Sequence, residues 1–117
     1  AYKGPSIVIA YSPCINHGMK KGMGKSQVEA KLAVECGYWT LLRFDPRRAE
    51  EGLNPLQIDS KEPNWDLYDE YLMGETRYAQ LKNINPEKAE ELLAINKAEA
   101  KRRYAMYQKY LAMDYSK

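Results

Sequence analysis

Apolar and polar positions fall into two regimes along the chain. The first sixty residues carry short apolar runs broken by glycine and proline, and the rest repeats with a helical period. Ile7-Val8-Ile9-Ala10-Tyr11 is bounded by Gly4-Pro5 and Pro13, which predicts a buried strand over about residues 6–11. A loop over 12–25 follows, with glycines at Gly18, Gly22 and Gly24. Loops of that length in a compact domain usually serve a function. Ser26 and Glu29 have the spacing of a capping box, so a helix is predicted from about Gln27 to Cys36, stopped at Gly37. Val28, Leu32 and Cys36 would form its apolar stripe. Tyr38 to Phe44 is rich in aromatic and aliphatic residues and predicts a second strand. Strand, helix and strand together predict a right-handed parallel unit.

Asp45-Pro46 ends that unit, and the charged residues 47–55 predict a surface loop. Leu56 to Asp59 is a weak, short strand. Asn64 is placed to cap a helix from about Trp65 to Met73, interrupted at Gly74 and resumed over Thr76–Leu81. Asn85-Pro86 is a strong helix start, because Asn caps and Pro fits the first helical position. After Pro86 there is no Gly or Pro up to about Met113, which predicts one helix from Pro86 on the order of 40 Å long. Leu93, Ala100, Tyr104, Tyr107 and Leu111 make its apolar stripe. The fold class expected is therefore α/β, a partial parallel sheet followed by a mainly helical tail, divided at 1–60 and 61–117.

Composition adds three points. There are ten Tyr against one Phe, and a ring with a polar tip suits partly buried contact with other protein. The net charge of +2 gives no strong pull toward nucleic acid or a membrane surface. No apolar run approaches the roughly 20 residues that span a bilayer, and no secretory pattern opens the chain. The two cysteines favour a reducing, cytoplasmic setting with free thiols or a metal site. A strand as apolar as Ile7–Ala10 normally lies inside a sheet covered on both faces, which one or two further strands cannot provide. The chain is therefore expected to be part of a larger polypeptide, or an obligate partner of one.

The candidate chemistry centres on Cys14, just past the first strand. Residue type alone leaves a nucleophile, a redox thiol, a metal or cluster ligand and a buried bystander open. Pro13 and Ile15 give a stiff, partly apolar setting that suits iron–sulfur ligation, yet a four-iron cluster takes four cysteines and this chain has two. Cys36, on the helix stripe, reads as a buried structural thiol. His17 could act as an acid or base, but no partner is evident from the sequence. Gly24-Lys25-Ser26 invites a phosphate-loop reading that fails, because Met19 stands where the motif needs glycine. Lys20, Lys21 and Lys25 would suit an anion or an acidic partner surface, or simply face solvent. Lys101-Arg102-Arg103 reads as a solvated helix face.

Several strings then carry a resemblance. Gly-Pro-Ser-Ile-Val-Ile-Ala-Tyr-Ser-Pro-Cys-Ile-Asn-His-Gly (4–18), Gly-Met-Gly-Lys-Ser-Gln (22–27) and Gly-Tyr-Trp (37–39) open the match. Asn-Pro-Leu-Gln-Ile-Asp-Ser-Lys-Glu-Pro (54–63), Gly-Glu-Thr-Arg-Tyr (74–78) and Arg-Arg-Tyr (102–104) continue it. Together they resemble the last part of the thiamine-diphosphate domain of the single-chain pyruvate:ferredoxin (flavodoxin) oxidoreductases. The resemblance implies pyruvate decarboxylation on thiamine diphosphate and Mg2+, acetyl transfer to coenzyme A, and electron flow through [4Fe–4S] clusters to ferredoxin or flavodoxin. It implies that Cys14 is the distant fourth ligand of the cluster nearest the thiamine, the other ligands lying upstream. It also implies a homodimer, and a segment that is inactive and holds no intact cluster by itself. Roles for Asn16, His17 and Lys25 do not follow from it. Two other readings stand beside it: a small thiol-redox protein using Cys14 directly, and a non-catalytic module that docks through its Tyr-rich helix.

Overall fold

A computed structural model describes residues 2–116. It is mixed α/β and mostly helical. A 3-10 turn, Met23–Lys25, leads into α1 (Ser26–Glu35). Strand β1 (Leu42–Phe44), the short helix α2 (Arg47–Glu50) and β2 (Leu56–Ile58) follow. A second 3-10 turn, Trp65–Leu67, opens α3 (Tyr68–Gly74), and α4 (Thr76–Ile84) and α5 (Pro86–Leu111) complete the chain.

The helical half follows local chemistry. The Asn64 side chain accepts from the Asp66 amide, and the Asn85 side chain accepts from that of Lys88 ahead of Pro86. Each cap satisfies an amide that the first helical turn leaves without a partner. Gly37 has φ 86°, the left-handed conformation that glycine alone adopts cheaply, and α1 ends one residue before it at the Cys36 cap. The core gathers Leu32, Ala33 and Cys36 from α1, Tyr68, Tyr71 and Leu72 from α3, and Ala100 from α5. Aromatic rings extend it: Tyr38 lies 4.6 Å from Tyr71, and Trp65 lies 6.1 Å from both Tyr68 and Tyr104. Such offset and edge arrangements favour the ring quadrupoles.

The sheet departs from expectation. β1 and β2 pair antiparallel, Arg43 opposite Gln57, so the parallel strand–helix–strand unit does not form among the described residues. Residues 6–11 form no strand, and Ile7, Val8 and Ile9 are 88%, 90% and 77% exposed. The physical reason is the lack of a paired neighbour: β1 and β2 pair only with each other, and a strand alone has nowhere to send its backbone hydrogen bonds. The strand expected over 38–44 shrinks to its last three residues, because Tyr38 and Trp39 turn into the aromatic cluster with Tyr11. The charged stretch 47–55 contains α2 rather than only loop.

The capping box also fails. Lys25 occupies the cap position of α1 without a side-chain hydrogen bond, and Ser26 already lies inside the helix. The 3-10 turn before it takes over the entry, the Lys25 amide donating to the Gly22 carbonyl at 3.0 Å. Glu29 instead faces the interior, while Val28, expected on the stripe, is half exposed.

Candidate functional site

Cys14 sits at the start of a tight turn. The Gly18 amide donates to the Cys14 carbonyl at 2.9 Å, closing five residues, and Gly18 takes φ 73° to complete the bend. The bend returns the His17 ring to the thiol, Sγ to Nδ1 3.1 Å. Both side chains, with Ile15 and Asn16, are exposed, whereas Pro13 beneath them is buried. Sequence reasoning proposed Cys14 and His17 separately; the turn makes them neighbours.

The turn is fastened to the junction of α3 and α4. Gly18 O accepts from Thr76 twice, from Oγ1 at 2.8 Å and from the amide at 3.4 Å. Met19 and Glu75 form an antiparallel bridge, and the Lys20 amide donates to Gly74 O at 3.0 Å. Met19 is buried in this seam. On its other side the Tyr11 hydroxyl lies 2.5 Å from the Tyr71 hydroxyl and donates to Glu75 Oε1 at 3.4 Å. Burial raises the Tyr11 phenol above its ordinary value, although its bond to Tyr71 works the other way. Burial likewise raises the Glu75 carboxyl, against the lowering effect of the Tyr11 hydrogen bond.

Beneath the seam lies Glu29. It is fully buried, and neither carboxyl oxygen has a hydrogen-bond partner. Its carboxyl packs so closely over Gly74 that a Cβ there would collide with Glu29 Oε1. Desolvation first, then Glu75, holds this carboxyl above the ordinary range. Sequence reasoning missed this role. The available signal was its place three residues before Leu32, on the face that also carries Ala33 and Cys36.

The other sequence candidates are placed as follows. Cys36 is buried, and its Sγ donates to Ala33 O at 3.6 Å, a structural thiol that burial pushes up. Lys21 pairs with Glu70 at 3.6 Å, and Lys20 and Lys25 are exposed. Lys101 lies over the Trp65 ring, Arg102 pairs with Glu99, and Arg103 donates to Tyr38 O at 3.1 Å, so that cluster is in part structural. No group of three or more His, Cys, Asp or Glu placed to hold a metal ion occurs among the described residues. Cys14 is thus available as a single donor. No helix among the described residues is long and apolar enough to cross a membrane.

Comparison with known proteins finds relatives that match nearly the whole chain. The chain is 54% identical over 108 residues to the pyruvate:ferredoxin oxidoreductase of Moorella thermoacetica, covering 92% of this chain and 9% of that protein. It is 48% identical over 109 residues to the pyruvate-flavodoxin oxidoreductase of Klebsiella pneumoniae, covering 93% and 9%. The chain is homologous to one segment of these enzymes. A mitochondrial pyruvate dehydrogenase [NADP(+)] of Euglena gracilis is 48% identical over 92 residues, 5% of its length. No protein-family model matches. The chain therefore spans about a tenth of the length of the curated relatives it matches, 9% in the first two.

Proposed function

We propose that this chain is the C-terminal segment of a single-chain pyruvate:ferredoxin (flavodoxin) oxidoreductase, the enzyme that converts pyruvate and coenzyme A to acetyl-CoA and CO2 and passes electrons to ferredoxin or flavodoxin. The observation that carries the reading is the identity to such enzymes across nearly the whole chain. In this reading residues 1–60 close the thiamine-diphosphate domain and 61–117 form a helical extension. The bare apolar run Ile7–Ile9, together with half-exposed Leu41, Leu42 and Phe44, supports it. Such a surface suits burial against the rest of the polypeptide, where 7–9 would enter the parallel sheet.

Within that enzyme Cys14 supplies one thiolate to the [4Fe–4S] cluster nearest the thiamine, and the remaining ligands come from upstream. An exposed thiol on a closed turn fits the part of a single donor. The cluster, when bound, supplies one-electron transfer. This chain's residues do simpler work. Gly18 and Thr76 hold the turn in place, Pro13 stiffens its approach, and His17 fixes the thiol's direction by a hydrogen bond. The segment by itself is inactive, in an enzyme that works in the cytoplasm as a homodimer.

The test is electron paramagnetic resonance of the reduced, anaerobically prepared intact polypeptide, with Cys14→Ala beside Cys36→Ala. One cluster signal, and electron transfer, disappear only in Cys14→Ala. A full set of cluster signals in Cys14→Ala would leave the segment as scaffold.

A further inference from the structure

The seam that holds the Cys14 turn rests on a carboxyl with no partner. Gly74 O, which receives the Lys20 amide, belongs to the glycine over which Glu29 is packed. One residue on, Glu75 makes the bridge to Met19 and accepts from Tyr11. A buried anion without hydrogen bonds is far more costly than a neutral acid in the same place. The groups that face Glu29 do not offset that cost. Glu75 at the α3–α4 junction and Glu70 on α3 oppose a negative charge, and Lys21 on the loop favours it but is paired with Glu70 at 3.6 Å. Tyr11 before the turn and Cys36 on α1 also feel its charge, each held as the neutral acid. Glu75 and Glu70 thus favour the neutral carboxyl, and the lysine that opposes them is already paired with Glu70.

We infer that Glu29 is a positioning residue: it is protonated when the seam is closed, and loss of that proton opens the seam between loop 18–20 and residues 74–76, releasing the turn that carries Cys14. The inference deepens the reading of that turn as the functional loop and rests on it for its consequence. The direction follows from linkage. A carboxyl whose folded value is raised binds more proton closed than open, so the closed state weakens as pH rises through the window between the two values. That window begins at the ordinary glutamate value of 4.5 and ends at the raised value in the closed seam. Within it, opening rises up to tenfold per pH unit, and above it the rise stops.

The experiment is native-state hydrogen exchange of the intact polypeptide across this pH range, read at the Lys20 and Thr76 amides and corrected for intrinsic exchange. In the wild type, protection falls with pH; in Glu29→Gln, which keeps the shape and cannot ionise, the fall is shallower, leaving only the part due to Glu75, whose carboxyl burial also raises. Glu29→Ala separates position from packing: a cavity loosens the seam by the same factor at every pH. Infrared difference spectra of wild type against Glu29→Gln show the carbonyl band of a protonated acid. Parallel pH profiles for wild type and Glu29→Gln, or no acid band, would overturn the inference. Neither readout involves a group bound at Cys14, so failure of the cluster assignment and failure of this inference are told apart.

Discussion

Asn54 offers the sharpest test of how the long helix is tied to the rest of the chain. The last carbonyls of α5 have no amides ahead of them to accept from within the helix. The Asn54 amide nitrogen lies 2.7 Å from Tyr110 O, 3.1 Å from Leu111 O and 3.2 Å from Met113 O. Its two hydrogens cannot serve three carbonyls fully, so these contacts count as two bonds. A third bond runs the other way, from the Leu56 amide to Asn54 Oδ1 at 2.9 Å. Asn54→Ala removes all three. A net intramolecular hydrogen bond is worth about 0.5–1.5 kcal/mol, and these sit near water that can partly replace them, so the low end applies and the sum is about 1.5 kcal/mol. That corresponds to roughly a 12-fold loss of protection. The loop itself should survive, because Arg48 Nε still donates to the residue 54 carbonyl, at 2.9 Å in the wild type.

Asn54→Asp makes the argument refutable. The replacement is nearly isosteric and keeps the acceptor for Leu56, but it donates nothing and sets a negative charge against the negative end of a helix dipole. At neutral pH it should lose about as much protection as the Ala variant. Because the folded state would favour the protonated acid, its stability should recover on acidification through the ordinary Asp range near 3.9. Native-state hydrogen exchange at Leu56 and over the last turn of α5 reads both effects. An Asp variant as protected as the wild type at neutral pH would refute the clasp, since an anion cannot donate to three carbonyls.

Other expectations follow from close approaches and burial. Gly74→Ala should destabilise by about 1–3 kcal/mol through its collision with Glu29, and Glu29→Ala in the same chain should relieve most of that, a coupling measured by a double-mutant cycle in denaturant. Gly37→Ala combines φ 86° with a Cβ only 2.7 Å from the Trp65 ring and 2.8 Å from Pro63, so it should cost more than the roughly 1 kcal/mol of the conformation alone; wild-type stability would discount that packing. Burial raises the Tyr68 phenol to about 12 and those of Tyr38 and Tyr71 well above the ordinary 10.0. The folded state therefore holds these protons more tightly, its advantage is complete below 10.0, and it is lost as pH rises beyond that value. Ultraviolet titration should show the buried phenols ionising together as the fold melts, and phenols titrating near 10.0 in a folded chain would contradict their burial.

The sequence was most legible where structure is local. Asn64 and Asn85-Pro86 announce helices because a cap needs only the next three residues. It was least legible where a residue's partner is distant. Ile7–Ile9 reads as a buried strand from its own composition, which says nothing about whether a neighbouring strand is there to receive it. Glu29 reads as a cap because it stands three residues after Ser26; that it turns inward depends on Gly74, forty-five positions away. Tyr38 and Trp39 have the side chains of a strand, and stacking on Tyr11 and Tyr71 outweighs that propensity. Cys14 and His17 were each legible, but their contact needed the bend at Gly18.

The strings that carry the family resemblance are far apart in the chain, and the structure brings them together in pairs. Asn-His-Gly (16–18) runs into Met19 and Lys20, which meet Gly-Glu-Thr (74–76): Gly18 O takes two hydrogen bonds from Thr76, and Gly74 O takes one from Lys20. Gly-Tyr-Trp (37–39) meets Arg-Arg-Tyr (102–104) in the same way: Arg103 donates to Tyr38 O, and Tyr104 stands edge-on to Trp65, the ring that closes over Gly37. In each pair one string offers a backbone carbonyl and the other a side-chain donor to it: the Thr76 hydroxyl to Gly18 O, and the Arg103 guanidinium to Tyr38 O. Four strings thus reduce to two contacts, one setting the Cys14 turn against the helices and the other setting α5 against α1 and α3. Changing one member of either pair should therefore disturb the other more than it disturbs nearer neighbours in the chain.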